Sequence, residues 1–208
     1  MNPDSKNNLN PVLKKLRQTL AARESKAAYP DWSSEVVVSQ GKLTHGSLQE
    51  CFENNFDAVH GITMHSIEEV RRHLTTANIS HGYCDPALAD QMKAGLGDGI
   101  TLSTEYDRAL YDSYQFGITR GTAAIAESGT IVLRDSETSC RLGALTPWVH
   151  IALVDHSSFY RTIADAIDAL GDDPNVIWVT GPSKTADVEG ILIEGVHGPG
   201  EQIALILE

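Results

Sequence analysis

Three short segments concentrate residue types that shape a backbone around a ligand: Gly121-Thr122-Ala123-Ala124-Ile125-Ala126-Glu127-Ser128-Gly129-Thr130, Gly181-Pro182-Ser183-Lys184-Thr185-Ala186-Asp187 and Gly195-Val196-His197-Gly198-Pro199-Gly200. In the second, Gly181 permits close approach to the main chain and Pro182 stiffens the turn. Ser183 and Thr185 offer hydroxyls, Lys184 offers a cation, and Asp187 either caps the loop or acts as a base. The segment follows the apolar run Val176 to Thr180. With that run as a strand, the loop lies at a carboxyl-terminal strand end, where open α/β sheets place ligands. The competing reading is a plain turn whose polar side chains satisfy their own backbone.

Glu127 carries a carboxylate in the turn between two β-rich runs, with Gly129 and Thr130 beside it as candidate ligand contacts. Such a carboxylate serves as a nucleophile where an acyl donor is held in a shielded pocket; its plainer role is to cap backbone or face solvent. His197, set between Gly195 and Gly198, projects an imidazole from a tight turn. That placement suits proton transfer, and equally a hydrogen bond within the loop. His60 and His65 are five residues apart, not the helical four of a metal pair, and His150 lies within an apolar run as a core or edge histidine. No metal site is expected. Lys184-Thr185 does not complete a P-loop, because Ser183 replaces the required glycine and Trp178 stands where the first one belongs. Neither a Gly-x-Ser-x-Gly elbow nor a Gly-x-Gly-x-x-Gly fingerprint occurs, which counts against serine hydrolysis and ordinary dinucleotide binding.

The 208 residues suffice for one core that buries about 70% of the unfolded chain's surface. The formal charge of −12 leaves no excess of Lys and Arg for nucleic acid or anionic membranes, although a small anion needs only locally placed amides and one or two cations. The N-terminus is polar and the longest apolar runs, such as Ile203 to Leu207, are too short to span a bilayer, so the expected location is the cytoplasm. Cys51, Cys84 and Cys140 are odd in number and far apart, which argues against a disulfide framework and against a zinc or iron–sulfur site.

The elements that must position these segments are read as α/β. Residues 1–30 form a polar tip and an amphipathic helical arm with Val12, Leu13, Leu16 and Leu20 on one face, stopped at Tyr29-Pro30-Asp31; residues 31–208 form the domain. Strands are expected at Val36 to Val38, Ala58 to Ile62, Ile79 to Cys84, Ile100 to Thr104, Gly117 to Ala126, Thr130 to Leu133, Val149 to Val154, Val176 to Thr180, Ile191 to Gly195 and Ile203 to Leu207. Ser66-Ile67-Glu68-Glu69 is a capping box, and Asp85 with Pro86 starts a helix that Gly95 and Gly97 end. Asp107 to Tyr114 reads as a short helix. A longer one is capped near Ser157, buries Phe159, Ile163, Ile167 and Leu170, and stops at Gly171. Strand, helix and strand over 149–180 then make a βαβ unit with parallel pairing, inside a doubly wound sheet with an added antiparallel part.

Taken together and in order, the three segments, with Pro147-Trp148-Val149-His150-Ile151 between the first and second, resemble the LUD domain of lactate-utilisation proteins. The resemblance implies a Rossmann-like mixed, mainly parallel sheet of the ribose-isomerase and CoA-transferase type (NagB/RpiA/CoA-transferase-like). It also implies a place in a three-protein system that oxidises L-lactate to pyruvate, with iron–sulfur centres carried by the partner proteins. The lack of cysteine clusters matches the family's protein C. Lys184 stands where the family more often shows Arg, keeping the charge and losing the bidentate fork. The implied ligand is a small anion or an acyl-bearing cofactor of unspecified identity at the three loops. Two other readings stay open: acyl or CoA transfer with Glu127 as nucleophile and Lys184 as anion clamp, and a non-catalytic assembly module docking through its N-terminal helix.

Overall fold

The computed structural model describes residues 11–22, 43, 46–138, 140–171, 173, 175–186 and 191–207. The expected strand at Val36 to Val38, the stop at Tyr29 to Asp31 and the candidate base Asp187 lie outside the described residues. Residues 1–36 and 37–208 form separate compact units. In the first, α1 (Pro11–Ala21) is a helix with its apolar residues Val12, Leu13, Leu16 and Leu20 all exposed.

The second unit is built on a six-stranded sheet in the order β1-β12-β7-β4-β2-β3, every neighbouring pair parallel. Its strands are β1 (Ile62–Met64), β2 (His81–Cys84), β3 (Thr101–Ser103), β4 (Phe116–Gly121), β7 (Val149–Val154) and β12 (Glu201–Ile206). A second sheet, β8-β5-β6-β9, uses β5 (Ala123–Ile125), β6 (Thr130–Arg134), β8 (Phe159–Tyr160) and β9 (Val176–Val179); β6 is antiparallel to both of its neighbours. A hairpin of β10 (Lys184–Ala186) and β11 (Leu192–Glu194) stands apart from both.

Alternation along each strand divides the core between two faces. Phe116, Ile118, Val149, Ile151, Ile203 and Leu205 pack on Val70 and Leu74 of α3 (Ile67–Thr76) and on Met92 and Leu96 of α4 (Ala89–Leu96). Ala152, Val154, Ala204 and Ile206 face the other way, onto Phe52 and Phe56 of α2 (Leu48–Ala58), Ala144 of α5 (Arg141–Leu145) and Ile131 and Leu133 of the second sheet. Behind that sheet, Ala166 and Leu170 of α6 (Ile163–Leu170) cover Ala123, Ile125 and Val132. The helix starts follow side-chain caps. Ser66 accepts from Glu69 N, Asp85 accepts from Ala87 N ahead of the short 3-10 turn Pro86–Leu88 that leads into α4, and Gly97 closes α4 at φ +76°.

Four expectations are corrected. Residues 58–61 are not strand, which begins only at Ile62: Ser47 and Glu50 form a reciprocal capping box that opens α2, which runs to Ala58. The run 117–126 is broken at Thr122 into β4 and β5, which belong to different sheets. The long helix begins at Ile163, capped by Thr162 rather than near Ser157, and leaves Ile163 and Ile167 exposed. Most consequentially, β9 does not pair parallel with β7. It lies antiparallel to β6, so residues 149–180 are not a βαβ unit and the 181–186 loop does not leave the parallel sheet.

Candidate functional site

The first two glycine-rich segments reach the C-terminal end of α2, and the third joins them through Ser183. Ser128 Oγ lies 2.7 Å from Thr130 Oγ1, which lies 2.8 Å from Thr180 Oγ1, joining the first segment to the start of the second. Gly129, at φ +61°, passes so close to α2 that a Cβ would lie 2.4 Å from Phe56 N. Gly181, at φ +75°, makes the same approach to the Val59 carbonyl oxygen, again 2.4 Å from a would-be Cβ. Only glycine allows both approaches. The second and third segments are stitched by Ser183 N donating to Pro199 O and Gly195 N donating to Ser183 O, each at 2.9 Å, with Gly198 against the Ser183 side chain.

Of the candidate side chains, Lys184 has protein partners within this cluster. Lys184 Nζ donates to Val59 O at 2.8 Å and stands 3.5 Å from Glu194 Oε1, while His60 Nδ1 donates to the same carboxylate at 2.7 Å. That hydrogen bond, with the Lys184 charge behind it, holds Glu194 below the usual carboxylate range. Thr185 sits in β10, and Pro182 is buried in the turn. Glu127 points elsewhere: its Oε1 accepts from Ile163 N at 2.7 Å and caps α6. His197 is exposed on the third turn. Among the described residues no group of three or more His, Cys, Asp or Glu is placed to hold a metal ion. Among the described residues Cys51, Cys84 and Cys140 form no disulfide, and burial, with the Asp85 charge, pushes Cys84 up to about 12.

A hollow of about 550 Å³ opens at the carboxyl ends of β4 and β7. Its position follows from the topology. The chain steps outward from β2 to β3, then returns to place β4 on the other side of β2, and open α/β sheets bind ligands at such a reversal. Arg120 closes β4 there; its Nε lies 3.3 Å from Oδ2 of the buried Asp85 at the end of β2, and one Nη donates to Glu137 O. The guanidinium is thus fixed in place by two protein partners while lining the hollow with Gly121, Thr122, His156 and Ser158, and with the acidic residues Glu137 and Asp155. Among the described residues the Thr122 hydroxyl is buried without a hydrogen-bond partner, an unsatisfied polar group of the kind that a ligand atom or a water completes. Gly121 and Thr122 begin the first glycine-rich segment, but Arg120, Asp85 and His156 are functional candidates that sequence reasoning missed. The only local signal was a charged residue inside an otherwise uncharged β run.

Deeper in the sheet, a buried polar row crosses three strands. His150 Nδ1 donates to Gln202 Oε1 at 2.9 Å, which obliges its Nε2, in the neutral ring, to accept from Thr119 Oγ1 at 2.8 Å. Burial holds the imidazole neutral, lowering its pKa to about 4, against the opposing effect of the Gln202 bond. This is the satisfied core histidine that its apolar context suggested.

Comparison with known proteins agrees with this architecture. A crystal structure of a duf162 family protein from Deinococcus radiodurans superposes with a TM-score of 0.57 at 21% identity, covering 77% of this chain and 96% of that one, a likeness of fold. The chain is 40% identical over 91 residues to lactate utilization protein C of Bacillus subtilis, covering 40% of this chain and 38% of that protein. It is 36% identical over 100 residues to lactate utilization protein C of Bacillus licheniformis (44% and 42%) and 32% identical over 112 residues to an uncharacterized protein of Neisseria meningitidis (51% and 46%). Each match spans less than half the relative's length. The family model of the LUD domain, however, matches residues 47–207, the whole of the layered unit from α2 to the end of β12, and the chain therefore belongs to the LUD domain family.

Proposed function

We propose that this chain serves lactate utilisation by holding a small carboxylate, lactate or pyruvate, in the hollow at the carboxyl edge of the parallel sheet. The observation that carries this reading is that the same hollow is lined by a positioned guanidinium, Arg120, and by Thr122, whose buried hydroxyl has no partner among the described residues. A carboxylate accepts from both, and charge-assisted hydrogen bonds are the stronger kind. His156 adds an imidazole to the same wall, able to exchange a proton with a hydroxy acid. Oxidation of lactate to pyruvate removes two electrons and two protons; the electrons would pass to iron–sulfur partner proteins and the protons to His156 and solvent, while the residues of this chain bind and orient the substrate.

Calorimetric titration with lactate and with pyruvate tests the reading. Arg120→Ala is expected to weaken binding by roughly tenfold or more, and Thr122→Val by a few-fold without loss of fold. Undiminished affinity in both variants overturns it. A second reading places the anion at the three loops, favoured by their continuous hydrogen bonding around α2. There Lys184 would exchange Val59 O for the ligand. Loss of binding in Lys184→Gln but not in Arg120→Ala transfers the site to that cluster. Acyl transfer through Glu127 requires its carboxylate to leave the α6 N-terminus, and a Glu127 adduct after incubation with an acyl-CoA would favour it.

A further inference from the structure

At the opposite edge of the parallel sheet, where β2, β4, β7 and β12 begin, lies a hollow of about 590 Å³ with a different chemistry. Its walls carry two exposed aromatic rings, Tyr111 and Trp148, the buried Tyr114, and two carboxylates, Asp112 and Glu201, with no Lys or Arg among its described lining residues. Tyr111 is 58% exposed and Trp148 52%. The tryptophan is nevertheless held in place. A Cβ at Gly195 would stand 2.3 Å from its Cζ3, and one at Gly200 would stand 2.3 Å from its Cζ2. Glycine at both positions lets the third glycine-rich segment close on one side of the indole while the rest faces solvent. This gives that segment a task that the anion reading leaves unassigned.

Aromatic faces attract cations through their quadrupole, and carboxylates at the same rim pair with the charge and repel phosphate or carboxylate ligands. Glu201 already accepts from His73 Nε2 at 2.7 Å, whereas Asp112 has no ion pair or hydrogen bond among the described residues. Asp112 is thus the carboxylate open to an incoming cation. Leu110 and Val196, next in the chain to Tyr111 and Gly195, are exposed as well. The aliphatic stem of a long basic side chain packs along the exposed Tyr111 and Trp148 rings while its charge stays at the rim, a contact that a small ion lacks. The net charge of −12 draws basic partners from a distance. We propose that this amino-edge hollow docks a Lys or Arg side chain presented by a partner protein.

The test uses the full chain labelled with ¹⁵N, following the Trp148 indole N–H resonance, which Trp148→Phe identifies. The probes are a capped tri-arginine peptide and its tri-citrulline counterpart, which keeps the shape and loses the charge. A saturable shift is expected with the arginine peptide at millimolar concentration or below. Citrulline, or the Asp112→Asn variant, is expected to weaken it by roughly fivefold or more. Equal response to the two peptides, an unchanged affinity in Asp112→Asn, or no shift at all overturns the proposal, as does a shift with tetramethylammonium and none with the peptide. Because Asp112 and Arg120 line different hollows, failure here leaves the carboxylate reading standing, and the reverse holds too.

Discussion

His150 has its ring nitrogens committed to Thr119 and Gln202 inside the parallel sheet, and its charged form has lost its water. With its pKa lowered from 6.5 to about 4, the unfolded chain binds this proton before the folded one does. Above pH 6.5 the group contributes nothing to pH dependence. As the pH falls from about 6.5 toward 4 the unfolded state gains the proton first, and stability drops by up to about 3 kcal/mol. Urea denaturation at pH 7 and at pH 4.5 checks this: His150→Phe should show a shallower loss than the wild type, and parallel losses would remove the histidine as the cause. At this scale the sequence was readable where a residue acts on its neighbours. Asp85-Pro86 announced a cap, and the apolar surroundings of His150 announced a core residue. Arg120 was not readable, because its partner Asp85 is brought to it only by the pairing of β2 with β4.

Among the elements, α2 organises the glycine-rich segments, and its helix start was encoded in Ser47-Leu48-Gln49-Glu50. The same Ser-x-x-Glu spacing opens the helix after Ser66, whose side chain also accepts from the amide three residues on. The pairing of β9 with β6 had no local signature at all, since a run such as Val176 to Val179 satisfies either a parallel or an antiparallel neighbour equally well. Two glycines separate conformational strain from crowding. Gly97, at φ +76°, has nothing within 4 Å of a would-be Cβ, so Gly97→Ala pays the backbone strain alone, about 1–3 kcal/mol. Gly129→Ala adds a collision with the main chain of α2 and is expected to lose at least about 1 kcal/mol more. Equilibrium unfolding of the two variants measures the difference; equal losses would mean that α2 shifts freely.

For the molecule as a whole, the layered order places β4, β7 and β12 between two apolar faces, whereas the β10–β11 hairpin is paired only with itself and exposes Leu192 and Ile193. Amide hydrogen exchange should therefore be slowest in those three strands and fastest in the hairpin by several orders of magnitude. Uniform protection across both would contradict this hierarchy. Among the described residues no helix is long and apolar enough to cross a membrane. The strands bounding the larger sheet, Ile62–Met64 and Thr101–Ser103, are each only three residues long. Few main-chain donors and acceptors are therefore left at its margins to template a foreign strand, and copies carrying like charge gain little by joining edge to edge. Resistance to fibril growth from this sheet is thus set by how briefly its borders run, irrespective of how apolar its interior is.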